Sequence, residues 1–179
     1  MSLNTSSDKS WFALYTKSRC EFKAAGEIGS IGVEYYLPTI TKVKQWSDRK
    51  KKISEPLLRG YIFIYADERG RMISLEQESV VRCIFDNGRP ARIPEWQINN
   101  LRLFLNGKSD FFVNEGLLPG EKVLIKDGPF EGVIGTIVDK GNEKSIAVSI
   151  DLLNRSIVAL LPKDSSMELV KDQTEEKPE

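Results

Sequence analysis

SEPLLRGYIFIY, at residues 54–65, is the stretch around which the rest of the sequence can be arranged. After a turn at Gly60, its residues alternate as in an extended strand. One face carries Tyr61, Phe63 and Tyr65, and the other carries Ile62 and Ile64. Two isoleucines suffice to seal one face against a helix, but three aromatic rings are more than a small domain usually leaves in water. Two interpretations stay open: an aromatic face offered to a partner, or a strand buried on both faces.

Composition indicates a globular protein with one ordinary domain or two small ones. The chain has 179 residues, of which 40% are hydrophobic and 29% charged. No apolar run approaches the roughly 20 residues that span a bilayer, and no signal peptide is visible. Cys20 and Cys83 form no metal-ligand spacing, so we expect reduced cysteines in a cytoplasmic protein that does not associate with membranes.

Histidine is absent from the sequence. This removes histidine-based catalytic triads, general bases and metal ligands. No carboxylate pair, nucleophile motif or glycine-rich phosphate loop takes their place. We therefore predict a binding protein that is not an enzyme and has no cofactor and no metal.

The balanced net charge conceals two halves of opposite sign. Residues 1–106 contain 17 Lys and Arg against 12 Asp and Glu, whereas residues 107–179 contain 9 against 14. This asymmetry predicts two domains with different partners, the basic one being a candidate for nucleic acid. The consecutive cations at residues 49–52 form either a solvated hairpin tip or a hairpin tip that binds phosphates.

The first half predicts an α+β sandwich in which an antiparallel sheet is flanked by helices, over residues 11–106. The predicted strands are residues 11–16, 34–46, 54–65, 80–85 and 89–93, and the predicted helices are 18–30, 68–77 and a third from Pro94 onward. Ser18 is the predicted N-cap of the first helix. Met72, Ile73 and Leu75 are predicted to face inward from the second, and residues 1–10 to be disordered.

The second half differs from the first in consisting mainly of short β-rich runs. Residues 107–118 lack periodicity and are predicted to be a linker. Short β-rich runs at 122–125, 133–138, 146–150 and 157–161, with tight turns between them, predict a small five-stranded β-barrel over residues 119–171. The acidic residues 172–179 are predicted to be disordered.

Both halves, in this order, resemble the NusG family of bacterial transcription elongation factors. The likeness is carried by WFALYTK at 11–17, YLPTIT at 36–41, the opening stretch, IFDNGRPARIP at 84–94, and the KOW-like GEKVLIKDGPFEGVIGTI at 120–137. The resemblance implies a NusG N-terminal domain followed by an SH3-like KOW barrel. The SEPL lead-in and the compact region 27–34 are more similar to specialised paralogues of the RfaH and UpxY kind than to the housekeeping factor.

The resemblance implies that the N-terminal domain binds the clamp helices of the RNA polymerase β′ subunit through an aromatic-lined hydrophobic patch. Carried over by position, the patch comprises Tyr15, Pro56, Leu57, Leu58, Tyr61, Phe63 and Phe85. Members of the family often have Phe-Pro before the glycine, where this chain has Leu58–Arg59, so the rim of the patch is altered.

Two further contacts follow from the resemblance. Lys17, Arg19 and Lys23 fall where specialised paralogues contact the non-template DNA strand, although Glu78 lies near a position that is basic in the RfaH type. The KOW domain is similar to those that bind a small-subunit ribosomal protein or the termination factor Rho. Its contact residues would be Phe130, Leu152, Leu153 and Arg155, with Phe130 alternatively a residue at the edge of the core.

These observations predict a monomeric transcription antitermination or elongation regulator that binds RNA polymerase and suppresses pausing or termination, in the manner of a factor dedicated to one long operon such as a polysaccharide-biosynthesis cluster. The alternative is an RNA-binding or ribosome-associated KOW protein. Some RfaH-type KOW domains refold as a helical hairpin, but β-branched residues and glycines in residues 133–138 favour the barrel here.

Overall fold

The computed structural model describes residues 8–140 and 143–170, in which the chain forms two compact units, Met1–Glu95 and Trp96–Glu179. The elements of the first unit are β1 Ser10–Thr16, α1 Glu21–Ser30, β2 Glu34–Tyr36, β3 Thr39–Gln45, β4 Lys50–Pro56, β5 Tyr61–Ala66, α2 Glu68–Leu75, β6 Val80–Cys83, β7 Phe85–Asp86, β8 Arg89–Pro90 and β9 Arg92–Ile93. From Glu95 onward they are α3 Glu95–Leu105, β10 Phe112–Glu115, β11 Lys122–Ile125, β12 Ile134–Lys140, β13 Glu143–Ile150, β14 Arg155–Leu160 and β15 Met167–Leu169.

The main sheet of the first unit is antiparallel, with the order β2-β5-β1-β6 and with β9 also paired to β1. Strand β5, which contains the aromatic residues of the stretch 54–65, is therefore central, between β2 and β1. Alternation along β1 and β5 directs one set of side chains toward α1. That buried core comprises Phe12, Leu14, Ile62 and Ile64 of the strands and Ala24, Ala25 and Ile28 of the helix.

The strand predicted at residues 34–46 is divided at Pro38, which cannot donate a ladder hydrogen bond. Its first part, β2, pairs with β5, and its second part, β3, pairs with β4 in a separate two-stranded sheet. Both parts of the stretch 54–65 therefore pair with the predicted strand 34–46: residues 54–56, in β4, pair with β3, and β5, which begins after the turn at Gly60, pairs with β2.

Two details of the helices differ from the sequence predictions. Helix α1 begins at Glu21 with Cys20 at its N-cap, so Ser18 is not the cap, because the chain first turns through Arg19 with φ of 59°. In α2, Arg71 and Ser74 are buried and Met72 is exposed, while Ile73 and Leu75 are half-buried. The Ser74 hydroxyl donates to the Gly70 carbonyl, and the Arg71 guanidinium pairs with Glu68 against the Phe12 ring.

The second unit contains one antiparallel sheet with the order β10-β14-β13-β12-β11-β15. This order is open, so the closed five-stranded barrel predicted from the sequence is not shown. The sixth strand, β10, lies within the predicted linker 107–118 and pairs with β14. Its exposed Phe112 and Val113 give no alternating pattern that would mark a strand in the sequence.

Helix α3 belongs to the second compact unit from Trp96 onward, whereas the sequence predicts a domain boundary at residue 106. Asn100 joins it to β12, donating to the Ile134 carbonyl (2.6 Å) and accepting from the Ile134 N–H (2.8 Å). Gln97 also donates to Asp151 (2.9 Å). These polar contacts explain the difference, since amphipathicity alone does not say which sheet a helix covers.

The predicted disordered ends lie outside the described residues, apart from 8–10, where β1 begins at Ser10. Across residues 8–140 and 143–170, the helices are all too short or too polar to cross a membrane. The same ranges contain no cluster of three side chains suited to holding a metal ion.

Candidate functional site

Aromatic residues line the face of β1 and β5 opposite the α1 core. The register places Trp11 opposite Tyr65 and Tyr15 opposite Tyr61, with ring centroids 5.3 and 5.5 Å apart. Between these pairs, Phe63 lies opposite the small Ala13 and stacks on Tyr36 of β2 at 6.2 Å. The pairs stabilise the sheet across its strands, and their rings define its outer face.

Burial divides this face into a closed centre and accessible ends. Phe63 is 0% exposed, whereas Tyr61 and Tyr65 are half-buried and Tyr15 is 38% exposed. The interpretation of three rings offered to a partner is therefore wrong for Phe63, which is part of the core. The accessible rings are Tyr15 and Tyr61 at one end of the strand pair, and Tyr65 at the other.

The remaining residues of the predicted patch differ in burial, and three of them precede β5. Leu57 and Leu58 are buried, and Pro56 is half-buried, so the two leucines support the surface from beneath instead of forming its rim. The Leu57 N–H donates to the Pro38 carbonyl, and the Tyr61 N–H to the Leu58 carbonyl. The seventh residue, Phe85, is 54% exposed and lies in the small β7–β8 sheet.

An open cleft of about 640 Å³ lies beside the accessible tyrosines. It is lined by Tyr15, Thr16, Ser18, Arg19, Glu21, Phe22, Glu55, Pro56, Arg59 and Gly60. The Glu21 carboxylate accepts a hydrogen bond from the Gly60 N–H (2.7 Å), which ties α1 to the turn. The Thr16 hydroxyl is buried and has no hydrogen-bond partner within the described residues 8–140 and 143–170.

Sequence reasoning did not single out Glu21 and Phe22, which line this cleft. Phe22 is exposed on α1. Glu21 is a buried carboxylate in the first turn of the helix, a position where acidic residues are common for reasons of helix polarity alone. No pattern in the sequence therefore distinguishes its role.

The three candidate DNA-binding cations do not form one free basic surface. Lys17 and Arg19 are exposed, but the Lys23 ammonium pairs with Glu78 (2.8 Å) and with Glu27 (3.7 Å). The hydrogen bond to Glu78 raises the pKa of Lys23, and the same bond, followed by the charges of Lys23 and Lys17, lowers the pKa of Glu78. Glu78 therefore neutralises part of the predicted patch.

The candidate partner residues of the second unit also separate by burial. Phe130 is 1% exposed and packs against Phe104 (5.0 Å between centroids) and Phe111. A Cβ atom at Gly107 would lie 2.4 Å from the Phe130 ring, so only glycine permits this packing. Phe130 is thus a core residue, which is the alternative that the sequence left open for it.

The other three lie in the loop between β13 and β14 and at the first residue of β14. Leu153 is buried, Leu152 is half-buried, and the half-buried Arg155 lies 3.6 Å from the Glu115 carboxylate. The Arg155 guanidinium also donates to the carbonyls of Leu153 and Asn154. Leu152 and Arg155 are the members of the predicted set that keep accessible surface.

A comparison with known protein families shows the class to which this protein belongs. The sequence pattern of a family described as "Transcription termination factor nusG" matches residues 9–102, more than half of the chain. The class is therefore that of transcription factors with a mixed α/β fold and many strands. This chain belongs to the NusG family.

Two solved structures are similar at low identity. One, titled "Domain interaction in Thermotoga maritima NusG", is 20% identical, with 86% of this chain and 93% of that chain covered and a TM-score of 0.48. The other, the MjSpt4:Spt5 complex in conformation A, is 19% identical, with 89% and 97% covered and a TM-score of 0.33.

Proposed function

We propose that this chain is a transcription elongation regulator that binds RNA polymerase through the accessible end of the β1–β5 face. The observation that carries the proposal is the cluster formed by Tyr15, Tyr61 and Pro56 beside the 640 Å³ cleft. Aromatic side chains that are partly exposed and backed by a rigid core are the usual anchors of protein interfaces. In this proposal the partner surface is the clamp helices of the β′ subunit, as the sequence resemblance implies.

The revised surface is smaller than the patch carried over by position. Tyr15, Tyr61 and Pro56 form its accessible part, while Leu57, Leu58 and Phe63 hold the strand and turn in place from the interior. Arg59 adds an exposed cation at its rim, in a position where the family often has proline. A helix with acidic residues flanking its apolar stripe fits this rim better than a wholly apolar one.

The second unit acts, in this proposal, as a KOW-like recruitment module for a small-subunit ribosomal protein or Rho, through Leu152 and Arg155. The regulator acts as a specialised paralogue that suppresses pausing or termination on a particular long operon. The non-template strand contacts Lys17 and Arg19, whereas Lys23 is available to it only if its ion pair with Glu78 opens.

Transcription in vitro tests the regulatory direction. A purified elongation complex halted at a defined pause site is supplemented with the full chain, and the pause lifetime is measured. We expect a shorter lifetime with the wild-type chain and no change with a Tyr15→Ala/Tyr61→Ala variant. The Phe112→Ala variant is the matched control, because it removes an exposed aromatic ring from the second unit. An unchanged or longer lifetime with the wild-type chain contradicts pause suppression.

A further inference from the structure

Strands β3 and β4 form a sheet of their own, which we call the hairpin arm (residues 39–56). Every residue from Thr41 to Lys52 is exposed. An isolated two-stranded hairpin is marginally stable in water, because it has no hydrophobic core of its own. Burial of apolar surface therefore does not explain why the chain forms the exposed part of this arm.

The hairpin arm holds almost all of the positive excess of the N-terminal half. Its basic residues are Lys42, Lys44, Arg49, Lys50, Lys51 and Lys52, and its acidic residues are Asp48 and Glu55. Residues 1–106 contain 17 basic and 12 acidic residues, so removing the six and two of the arm leaves 11 and 10. The basic character of this half is thus localised on one protruding element and is not spread over its surface.

At the base of the arm, the charges are compensated. The Glu55 carboxylate pairs with Lys44 (2.6 Å) and with Lys42 (3.5 Å). The hydrogen bond from Lys44 is the main cause that lowers the pKa of Glu55. These two lysines are therefore already engaged within the arm.

Toward the tip, the register brings like charges together. Lys44 lies directly opposite Lys51, and Lys50 and Lys52 share the other face. Across residues 8–140 and 143–170, no carboxylate forms an ion pair with Arg49, Lys50, Lys51 or Lys52. Like charges on neighbouring strand positions destabilise a sheet, and an anionic partner would remove this repulsion.

One aromatic ring accompanies these cations. Trp46 is 55% exposed, and the Lys51 ammonium lies 5.9 Å from the centroid of its ring. Proteins that bind single-stranded nucleic acid stack successive bases on several aromatic rings, whereas this arm offers one. A row of cations with a single ring favours contact with phosphates over stacking with bases.

We propose that the hairpin arm binds the phosphate backbone of duplex DNA without reading its sequence. Four adjacent cations at the end of a narrow ribbon suit the high and regular charge density of a duplex, and the major groove is wide enough to admit a two-stranded ribbon. Contacts between cations and phosphates position a protein on DNA but carry no sequence information, and Gln45 is the single side chain of the arm suited to the bidentate contact with adenine. The chain belongs to a family of transcription factors, which work beside DNA. This inference does not depend on the proposed polymerase contact.

Fluorescence anisotropy with a labelled duplex of about 20 base pairs tests the inference on the full chain. Binding is measured over roughly 50 to 200 mM salt, where the logarithm of the binding constant falls linearly with the logarithm of salt concentration. The K50Q/K51Q/K52Q variant is expected to lower the slope by about 0.9 for each lost phosphate contact, up to about 2.7 in total.

A K108Q/K144Q/K163Q variant is the matched control, because it removes the same charge from exposed lysines of the second unit. We expect it to keep the wild-type slope. The tip variant should unfold at the same temperature as the wild-type chain or a higher one, since repulsion is relieved and no buried residue is changed. Retained folding with a reduced slope supports the inference.

Four results would overturn it. These are no duplex binding at the lowest salt concentration, an equal loss of slope in the control variant, tighter binding to a single strand of the same length, and vesicles of anionic lipid that bind the chain more tightly than the duplex does. The third result assigns the arm to unpaired nucleic acid, and the fourth assigns it to a membrane surface.

Discussion

Gly60 determines how the chain enters β5. Its φ of 81° lies in the left-handed region, and a Cβ atom there would lie 3.0 Å from the Tyr15 ring. Its N–H donates to Glu21 (2.7 Å), and its carbonyl accepts from the Thr16 N–H (2.9 Å). One residue therefore connects the turn to both α1 and β1, and it places Tyr61 beside Tyr15.

Gly60→Ala is expected to lower the free energy of unfolding by about 1–2 kcal/mol, because an L-residue is strained at this φ. Chemical denaturation of the full chain measures the change. Gly26→Ala is the control, since this helical glycine has open space around it and alanine favours helix by about 0.5–1 kcal/mol. Equal destabilisation by both substitutions would contradict this account of the turn.

At the scale of elements, α3 is fixed to the second unit by directional contacts. The Asn100 side chain makes two hydrogen bonds to the backbone of one residue, Ile134. Phe104 is fully buried and packs against Phe111 and Phe130. The helix therefore has both a polar clamp and an aromatic cluster holding it to this sheet.

Removing the clamp with Asn100→Ala is expected to cost about 2 kcal/mol, since two hydrogen bonds contribute about 1 kcal/mol each. Hydrogen exchange gives a local readout: the Ile134 amide should lose protection, because Asn100 is its acceptor. Asn99→Ala, on the exposed side of the same helix, should leave that amide unchanged. Unaltered exchange at Ile134 in the Asn100 variant would show that the clamp does not hold the helix.

Elements with strong local patterns were predictable from the sequence. Strands β1 and β11 and helix α3 lie where alternation or helical spacing placed them, and β5 is central as its aromatic and aliphatic faces indicated. Strand β10 and the division before α3 were not predictable. Both depend on pairing with residues far along the chain, which local patterns do not encode.

Burial of the candidate site residues was the least predictable feature. Phe63 and Phe130 occupy positions that alternation or a loop motif would leave open, but neighbouring rings cover both. Tyr36 and Phe104, which provide those rings, are distant in sequence from the residues that they cover. A sequence pattern gives the face on which a ring lies but not whether another element covers that face.

At the scale of the whole molecule, five carboxylates with lowered pKa values determine how stability changes at acidic pH. The pKa values of Glu55, Glu68, Glu78, Asp127 and Glu168 are lowered, chiefly by hydrogen bonds from Lys44, Arg71, Lys23, Ser166 and Lys126 respectively. Their contribution to stability is present above the ordinary carboxyl pKa of the unfolded chain and is lost as pH falls through the lowered folded values. The raised pKa values of Lys23 and Arg71 act in the opposite direction. Their contribution to stability is present below the ordinary pKa of each side chain and is lost as pH rises through the raised folded value.

The unfolding temperature is therefore expected to be nearly constant between about pH 6 and 8 and to fall below about pH 4.5. The absence of histidine removes the group that usually titrates within the constant range. Differential scanning calorimetry at closely spaced pH values measures the profile. High salt should reduce the acid-side loss, because most of these ion pairs are exposed and screened. A clear step between pH 6 and 7 would contradict this assignment of the titrating groups.

The central claim is that the accessible end of the β1–β5 face, with Tyr15 and Tyr61, is the polymerase-binding surface. Titration calorimetry of the full chain against a purified β′ clamp-helix fragment measures it most directly. We predict saturable binding that weakens at least about tenfold in the Tyr15→Ala/Tyr61→Ala variant, because single interface anchors contribute more than about 1 kcal/mol each. The Phe112→Ala chain should bind as the wild type does. Equal affinity for the wild-type and double-variant chains, with both folded, would contradict the claim.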